Sequence, residues 1–396
     1  MRSFVPFAAF AAGLVLTATA CGSGSSASEG SGPIEVGMIT SLTGQLQTLG
    51  SEGRKAAELA VEQINADGGV LGRELKLTVK DDKSQPDQSV LAFNDFKSQD
   101  VSAVIGSPSS GSALATLPAV DRAKIPYISL TPADEQVEPV HPYVFVVPAL
   151  ASAYADRLLQ HYQAEGITRI AVVYDTKTAY PTSGYKAMKA KAAEYGVEIA
   201  HTEEIENTAT DFSAVFTHVK GTDAQAMAVW VTGPASVVLT KQYAASDLDI
   251  PLAFTGSQAS KLWLDPAGKA AEGVTVASSV GVVGDTIPAG KQKTAIEEMT
   301  GPFKKEHGYE PPQFAQDGYS GVRLLAAAIE KAGSTDPEKI QKAMEGLTLT
   351  TPNGTYTYSA KDHAGLTPDY IAVNTVTDGA FVPTAWSKAQ LAKVAK

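Results

Sequence analysis

Apolar positions recur along the chain in two alternating rhythms. Ile34 to Ser41 is a β-rich apolar run that ends in the turn residues Thr43-Gly44. Glu52 to Asn65 carries apolar residues at Ala56, Leu59, Ala60 and Ile64, a helical stripe, and Gly68-Gly69 and Gly72 break it. Leu75 to Val79 alternates as a strand, Gln88 to Phe96 reads as helix, and Val101 to Ile105 as a buried strand. Gly111 to Ala123 is again helical and Pro126 to Leu130 a short strand. This β-α-β-α order predicts a parallel sheet covered on both faces.

The rhythm restarts after Leu150. Helices Tyr154–Glu165, Gly184–Tyr195, Phe212–Val219 and Ala235–Ala245 lead in turn to strands Arg169–Tyr174, Val197–Thr202, Ala226–Val231 and Leu252–Thr255. Val274 to Ala277 reads as one more strand. Helices follow at Lys291–His307, Gln313–Ala332 and Pro337–Met344, then a turn-rich β segment from Leu349 to Tyr358 and a strand at Tyr370–Val376. Two successive α/β units of similar size imply two doubly wound lobes. In such sheets ligands bind beyond the carboxyl ends of the strands, so facing lobes would form a cleft there.

The N-terminus changes the picture. Met1-Arg2 followed by an almost wholly apolar run from Phe4 to Leu16 reads as a secretory signal, residues 1–20. The run is too short to span a bilayer. Ala18-Thr19-Ala20-Cys21 resembles a bacterial lipobox, although Ala18 stands where Leu is preferred, and Cys21 is the single cysteine. Residues 21–32 are a Gly/Ser tether. The expectation is an extracytoplasmic globule, lipid-anchored through Cys21 to the outer face of a bacterial cell membrane. A lone cysteine excludes an internal disulfide or a thiolate zinc site.

Composition narrows the function. The 396 residues are 44% hydrophobic and 19% charged, with 32 Lys+Arg against 43 Asp+Glu and a net charge of −11. Without a basic run, the chain is a poor partner for nucleic acid. The six histidines (His141, His161, His201, His218, His307 and His363) show no metal-ligand spacing. Ser183-Gly184-Tyr185-Lys186 matches S-x-x-K, but the supporting hydrolase motifs are absent. Asp81-Asp82 and Glu203-Glu204 are neighbours on strands and point to opposite faces. What remains are small polar residues at strand ends. Gly106-Ser107-Pro108-Ser109-Ser110-Gly111 follows a strand and opens a helix, and Ser129-Leu130-Thr131-Pro132-Ala133-Asp134 follows the next strand. Hydroxyls and free N–H groups at a helix N-terminus hold an anion; a serine there also serves as an N-cap.

Ile34 to Asp134 resembles the branched-chain amino-acid (Leu/Ile/Val-binding) type of periplasmic binding protein, the type I solute-binding subunits of ABC importers. The stretches that carry this are Leu42-Thr43-Gly44, Ala57 to Arg73 with its I-N-A-D-G-G-V-L-G-R block, Asp81-Asp82 and Val104 to Gly111. Weaker similarity continues through Ala271-Glu272-Gly273 and Asp317-Gly318-Tyr319. The resemblance implies an α/β fold of two doubly wound parallel-sheet lobes joined by three hinge crossings. Residues 33–150 plus 281–350 would form lobe 1, and 151–280 plus 351–396 lobe 2. It also implies site residues. Ser110, beside Ser109, would grip a ligand carboxylate, with Thr131, Pro132 and Ala133 in the next loop. Leu49 would form the apolar wall, and Tyr180 would come from the second lobe.

Two positions depart from that pattern. Amino-acid binders of this type place acids where Ser152 and Gln258 stand here. A buried ammonium left without its partner costs about 2–5 kcal/mol, roughly 30- to 5,000-fold in affinity. The ligand is therefore expected to be a small carboxylate, amide or other polar solute, unless Asp317 or Asp175 replaces the lost charge. Trp230, near a strand end, is either core or a surface on which a flat ligand stacks. The resemblance implies a monomer with no cofactor and no metal, delivering its small-molecule ligand to an ABC importer permease. A sensory protein presenting its ligand to a membrane receptor would use the same fold. A lipid-anchored serine hydrolase would need Ser110 or Ser183 as nucleophile.

Overall fold

The computed structural model describes Met1 and residues 32–394. The expected export signal, Cys21 and nearly all of the tether fall in residues 2–31, outside the described residues.

The first β/α series runs β1 (Ile34–Thr40), α1 (Gln47–Ala66), β2 (Leu75–Asp81), α2 (Pro86–Ser98), β3 (Ala103–Ile105), α3 (Ser110–Ala123), β4 (Tyr127–Ser129) and β5 (Val144–Val146). The second runs α4 (Ala151–Ala164), β6 (Arg169–Asp175), α5 (Ala179–Lys191), β7 (Glu198–Ile205), α6 (Ser213–Lys220), β8 (Ala226–Trp230), α7 (Ala235–Ala245), β9 (Leu252–Phe254), α8 (Lys261–Ala267) and β10 (Thr275–Ser279). Helices α9 (Lys291–His307), α10 (Gln313–Ala332) and α11 (Pro337–Met344) follow. The chain ends with the hairpin β11 (Thr348–Thr351) and β12 (Gly354–Thr357), then β13 (Ile371–Thr377), β14 (Ala380–Pro383) and α12 (Ala385–Val394).

Two sheets result. The first has the order β2-β1-β3-β4-β5 and is parallel throughout. The second has the order β14-β13-β10-β9-β8-β6-β7. It departs from the all-parallel expectation, because β13 lies antiparallel to both β10 and β14. β13 joins the edge beside β10 after the last crossing, and β14 returns along it by a hairpin, which needs no helical crossover. The chain crosses between the sheets three times, after β5, after β10 and after β12. Helix α10 comes after the second crossing and packs on α1.

Burial follows the period-2 rule. Val36 and Met38 of β1 face one core and Ile39 the other; in β6, Ile170 and Val172 face one core while Ala171 and Val173 face the other. Helices therefore cover both faces, as the alternating sequence requires. The α1–α10 contact depends on glycine. A Cβ on Gly318 would sit 2.0 Å from the Gly53 carbonyl oxygen, so the two helix backbones touch there. We expect Gly318→Ala to push the helices apart and cost about 1–3 kcal/mol. Equilibrium unfolding in denaturant measures this, and an unchanged midpoint would refute the packing argument.

Candidate ligand-binding site

Strand order reverses at β1/β3 in the first sheet and at β6/β8 in the second. The loops leaving these strands diverge at such switch points and open a crevice at the carboxyl ends. Here the two crevices face each other across one cavity of about 580 Å³. Residues 45, 46, 49, 108–111 and 130–132 line it from the first sheet; 177–180, 207–210, 232–235 and 256–257 line it from the second. Its volume suits a small solute.

The first-sheet loops are tied by adjacent acids. The buried Asp82 carboxylate accepts hydrogen bonds from Ser41 Oγ (2.6 Å), Ser107 Oγ (2.5 Å) and the Ser84 N–H (2.9 Å). Ser107 Oγ in turn accepts the Ser109 N–H at 3.0 Å. Asp81 turns the other way and holds the N–H groups of Leu42 (2.8 Å), Thr43 (3.2 Å) and Lys83 (2.8 Å). These bonds, with one from the Thr43 hydroxyl, keep its carboxyl below the usual range against a raising effect of burial.

So positioned, Ser109 caps α3: its Oγ accepts the Ser112 N–H at 3.3 Å. The N–H groups of Ser110 and Gly111, in the first turn, have no intrahelical partner, and both residues line the cavity. Ser110 Oγ and Thr131 Oγ1 lie 2.6 Å apart. One donates to the other, which leaves one hydroxyl hydrogen for a ligand. Leu46, Leu49, Pro86 and Leu130 supply an apolar wall beside this polar corner.

On the other side, Asp175 Oδ1 accepts the Lys177 N–H (3.0 Å) and its Oδ2 the Thr178 hydroxyl (2.5 Å), which shapes the loop before α5. Helix α5 starts at Ala179, five residues before the Gly184 expected, and carries Tyr180 into the cavity. Its hydroxyl donates to Thr255 Oγ1 at 2.7 Å, and its ring stands edge-on to Trp230 at 5.6 Å. Trp230 is fully buried under Gly184 and does not line the cavity.

Three of the expected site residues do not line the cavity. Ser152 lies on α4 two positions before Tyr154, hence on nearly the opposite side of the helix. Tyr154 lines the cavity, while Ser152 faces a separate crevice with Asp156 and Lys191 and gives its N–H to the Asp134 carboxylate. Gln258 folds back in the turn after β9, where its amide donates to the Val231 carbonyl at 3.0 Å, and Ser257 takes the place at the cavity wall. Ala133 is fully buried behind Thr131 and Pro132.

Helix α10 supplies what the sequence had left open. Gln313, Phe314 and Asp317 line the cavity from its first turns. Gln313 accepts the Ser279 N–H (2.8 Å) and donates to Tyr154 Oη (2.7 Å). A Cβ on Gly256 would come within 2.4 Å of Gln313 Nε2, so that strand-end turn needs glycine to close on the pair. Of the two replacement acids, Asp317 reaches the cavity and Asp175 does not. Asp317 is 3% exposed, and its Oδ1 accepts from Asn353 Nδ2 at 2.6 Å. Burial pushes its carboxyl up to about 7, opposed by that one bond. Asp134 is likewise raised to about 6 by burial.

Elsewhere, Ser183 donates to Glu135 at 2.5 Å and is no poised nucleophile. His201 Nε2 and His218 Nδ1 lie 2.6 and 2.8 Å from Glu203 Oε1, a group that could offer three metal-ligand atoms and that linear spacing conceals. None of the three lines the cavity.

A model of the periplasmic binding protein family matches residues 33–380. The chain belongs to that family. A Leu/Ile/Val-binding protein homolog 3 of Brucella melitensis is 27% identical, over 82% of this chain and 87% of its own length. The leucine-, isoleucine-, valine-, threonine- and alanine-binding protein of Pseudomonas aeruginosa is also 27% identical, over 83% and 86%. A type 1 periplasmic binding protein from Bordetella pertussis superposes with a TM-score of 0.79 at 25% identity, covering 89% of this chain and all of that one. This family binds solutes and does not transform them, so the serine-hydrolase alternative falls.

The raised acids make stability fall with pH. An unfolded Asp317 ionises near 3.8, the folded one near 7, so between these values the native state holds the extra proton. Stability is lost as pH rises through that window and the loss is complete above about 7. Asp317→Asn removes the burial of charge and keeps an acceptor for Asn353. We expect it to stabilise the ligand-free protein at pH 8 by on the order of 2–4 kcal/mol, with the gain shrinking toward pH 4. Thermal melts across pH test this; a pH-independent difference would contradict it.

Proposed function

We propose that this protein captures a small, amino-acid-like solute bearing a carboxylate in the cavity between its two sheets and hands it to an ABC importer permease. The observation that carries the reading is the corner formed by the Ser110–Thr131 hydroxyl pair and the two unpartnered N–H groups of α3, beside an apolar wall. Neutral donors backed by a helix dipole hold an anion without a counter-charge. The ligands named for the Pseudomonas relative, with a carboxylate and a short side chain, have the matching shape. Ser109, Leu49 and Tyr180 would complete the contacts. Hinge motion at the three crossings would open and close the trap.

The protein would work outside the cytoplasm as a monomer, tethered through lipid on Cys21. Among the described residues no helix is long and apolar enough to cross a membrane.

A calorimetric titration of the purified chain with alanine, threonine, valine, leucine and isoleucine tests the reading. Ser110→Ala removes a buried hydrogen bond to a charged group, worth about 1.5–3 kcal/mol, so affinity should fall roughly 10- to 150-fold. Ser152→Ala, outside the cavity, should leave it within about twofold of wild type. Equal losses in both variants would place the ligand elsewhere.

A further inference from the structure

We propose that Asp317 is the specificity-determining residue of the cavity, taking a positively charged amino group of the ligand from helix α10 of the first lobe. This rests on the cavity being the solute site.

Asp317 is almost wholly buried yet lines the cavity. Asn353 occupies Oδ1, and among the described residues Oδ2 has no hydrogen-bond partner. No Lys, Arg or His among the described residues pairs with it. Lys177, the other charged residue on the cavity wall, is 61% exposed and pairs with Glu206 at 3.2 Å. The groups beside Asp317 are neutral: Tyr154 of α4 and Tyr356 of β12 have their hydroxyls driven well above the usual phenol range by burial. On α1, which packs across α10, Glu52 and Lys55 pair with each other at 2.6 Å. Tyr154 Oη accepts from Gln313, and its own hydrogen has no acceptor among the described residues. The wall thus offers a carboxylate oxygen and a hydroxyl hydrogen to whatever enters.

A carboxylic acid held there only to accept from Asn353 could be an amide at no loss, since an amide oxygen accepts equally. What an amide lacks is the charge. Burying an unpaired carboxylate is costly, and an arriving ammonium removes that cost. The two acids missing at Ser152 and Gln258 are then replaced from a third direction, by a residue on a helix that returns after the second crossing.

The test pairs each of alanine, threonine, valine, leucine and isoleucine with the carboxylic acid of the same skeleton lacking the amino group. Wild type and Asp317→Asn are titrated with both series. Asp317→Asn is expected to lose at least about 30-fold on an amino acid that wild type binds, and less than threefold on its deaminated partner. Binding of the deaminated acid shows that the variant is folded. Wild type alone gives a second readout: amino-acid affinity should fall roughly tenfold from pH 8 to pH 6 as Asp317 protonates, and that of the deaminated acid should not. An Asp317→Asn protein within threefold of wild type on the amino acids, or wild type that binds only deaminated acids, overturns the role of Asp317 and leaves the cavity reading standing. Wild type that binds neither series overturns both.

Discussion

Parallel strands end side by side without a hairpin to join them, so the loops that leave them must be fixed by side chains. In the first sheet one group does most of this. The Asp82 carboxylate binds Ser41 after β1, Ser84 after β2 and Ser107 after β3. Three separate loops become one surface. Through Ser107 the tie reaches the Ser109 N–H and sets where α3 begins. Ser110 and Gly111, which open that helix, line the cavity because its start is fixed. Asp175 plays the same part at the end of β6, with the Lys177 N–H and the Thr178 hydroxyl. Each half of the cavity is thus held by an acid at a strand end that does not itself line it.

The acids that are fully bonded and the one that is not divide by task. Asp81, with four donors around it, is held below the usual carboxyl range, as expected of a group that fixes structure. Asp317 has one donor and is raised to about 7. Ionising it in the ligand-free protein is therefore costly, because burial disfavours the charged form. Sites that bind charge are often the least stable part of a domain for this reason.

The sequence made much of this legible, unevenly. Helices Lys291–His307 and Gln313–Ala332 are read to the residue, because long apolar stripes bounded by glycine and proline leave little choice. The three-residue β5 is too short to show a period, and α12 buries only Ser387 and Leu391, too sparse a stripe to register. Ser109, Ser110 and Thr131 reach the cavity because a residue just past a parallel strand can hardly avoid its carboxyl end, and Leu49 and Tyr180 because they open the helices that follow β1 and β6. Ser152 and Gln258 lie off the cavity wall for a finer reason. On a helix, two residues decide the face, and α4 presents Tyr154. In a tight turn, one residue does, and Ser257 displaces Gln258. Gln313 and Phe314 carry no local signal, since only the second crossing brings α10 back to the cavity.

That return also explains the asymmetry of charge in the cavity. On the proposed reading an anion would be met by dipoles alone, the hydroxyls and the N–H groups at a helix N-terminus, none of which costs much to leave empty. A full charge of the same purpose would have to sit among the Asp82-bonded loops, where it would compete for their hydrogen bonds. The carboxylate instead stands on α10, anchored by Asn353 and flanked by tyrosines that stay neutral. A ligand with one acceptor end and one donor end satisfies both walls at once. A ligand with only the acceptor end forgoes that pairing, so the site would discriminate through what an ammonium gains from the Asp317 carboxylate.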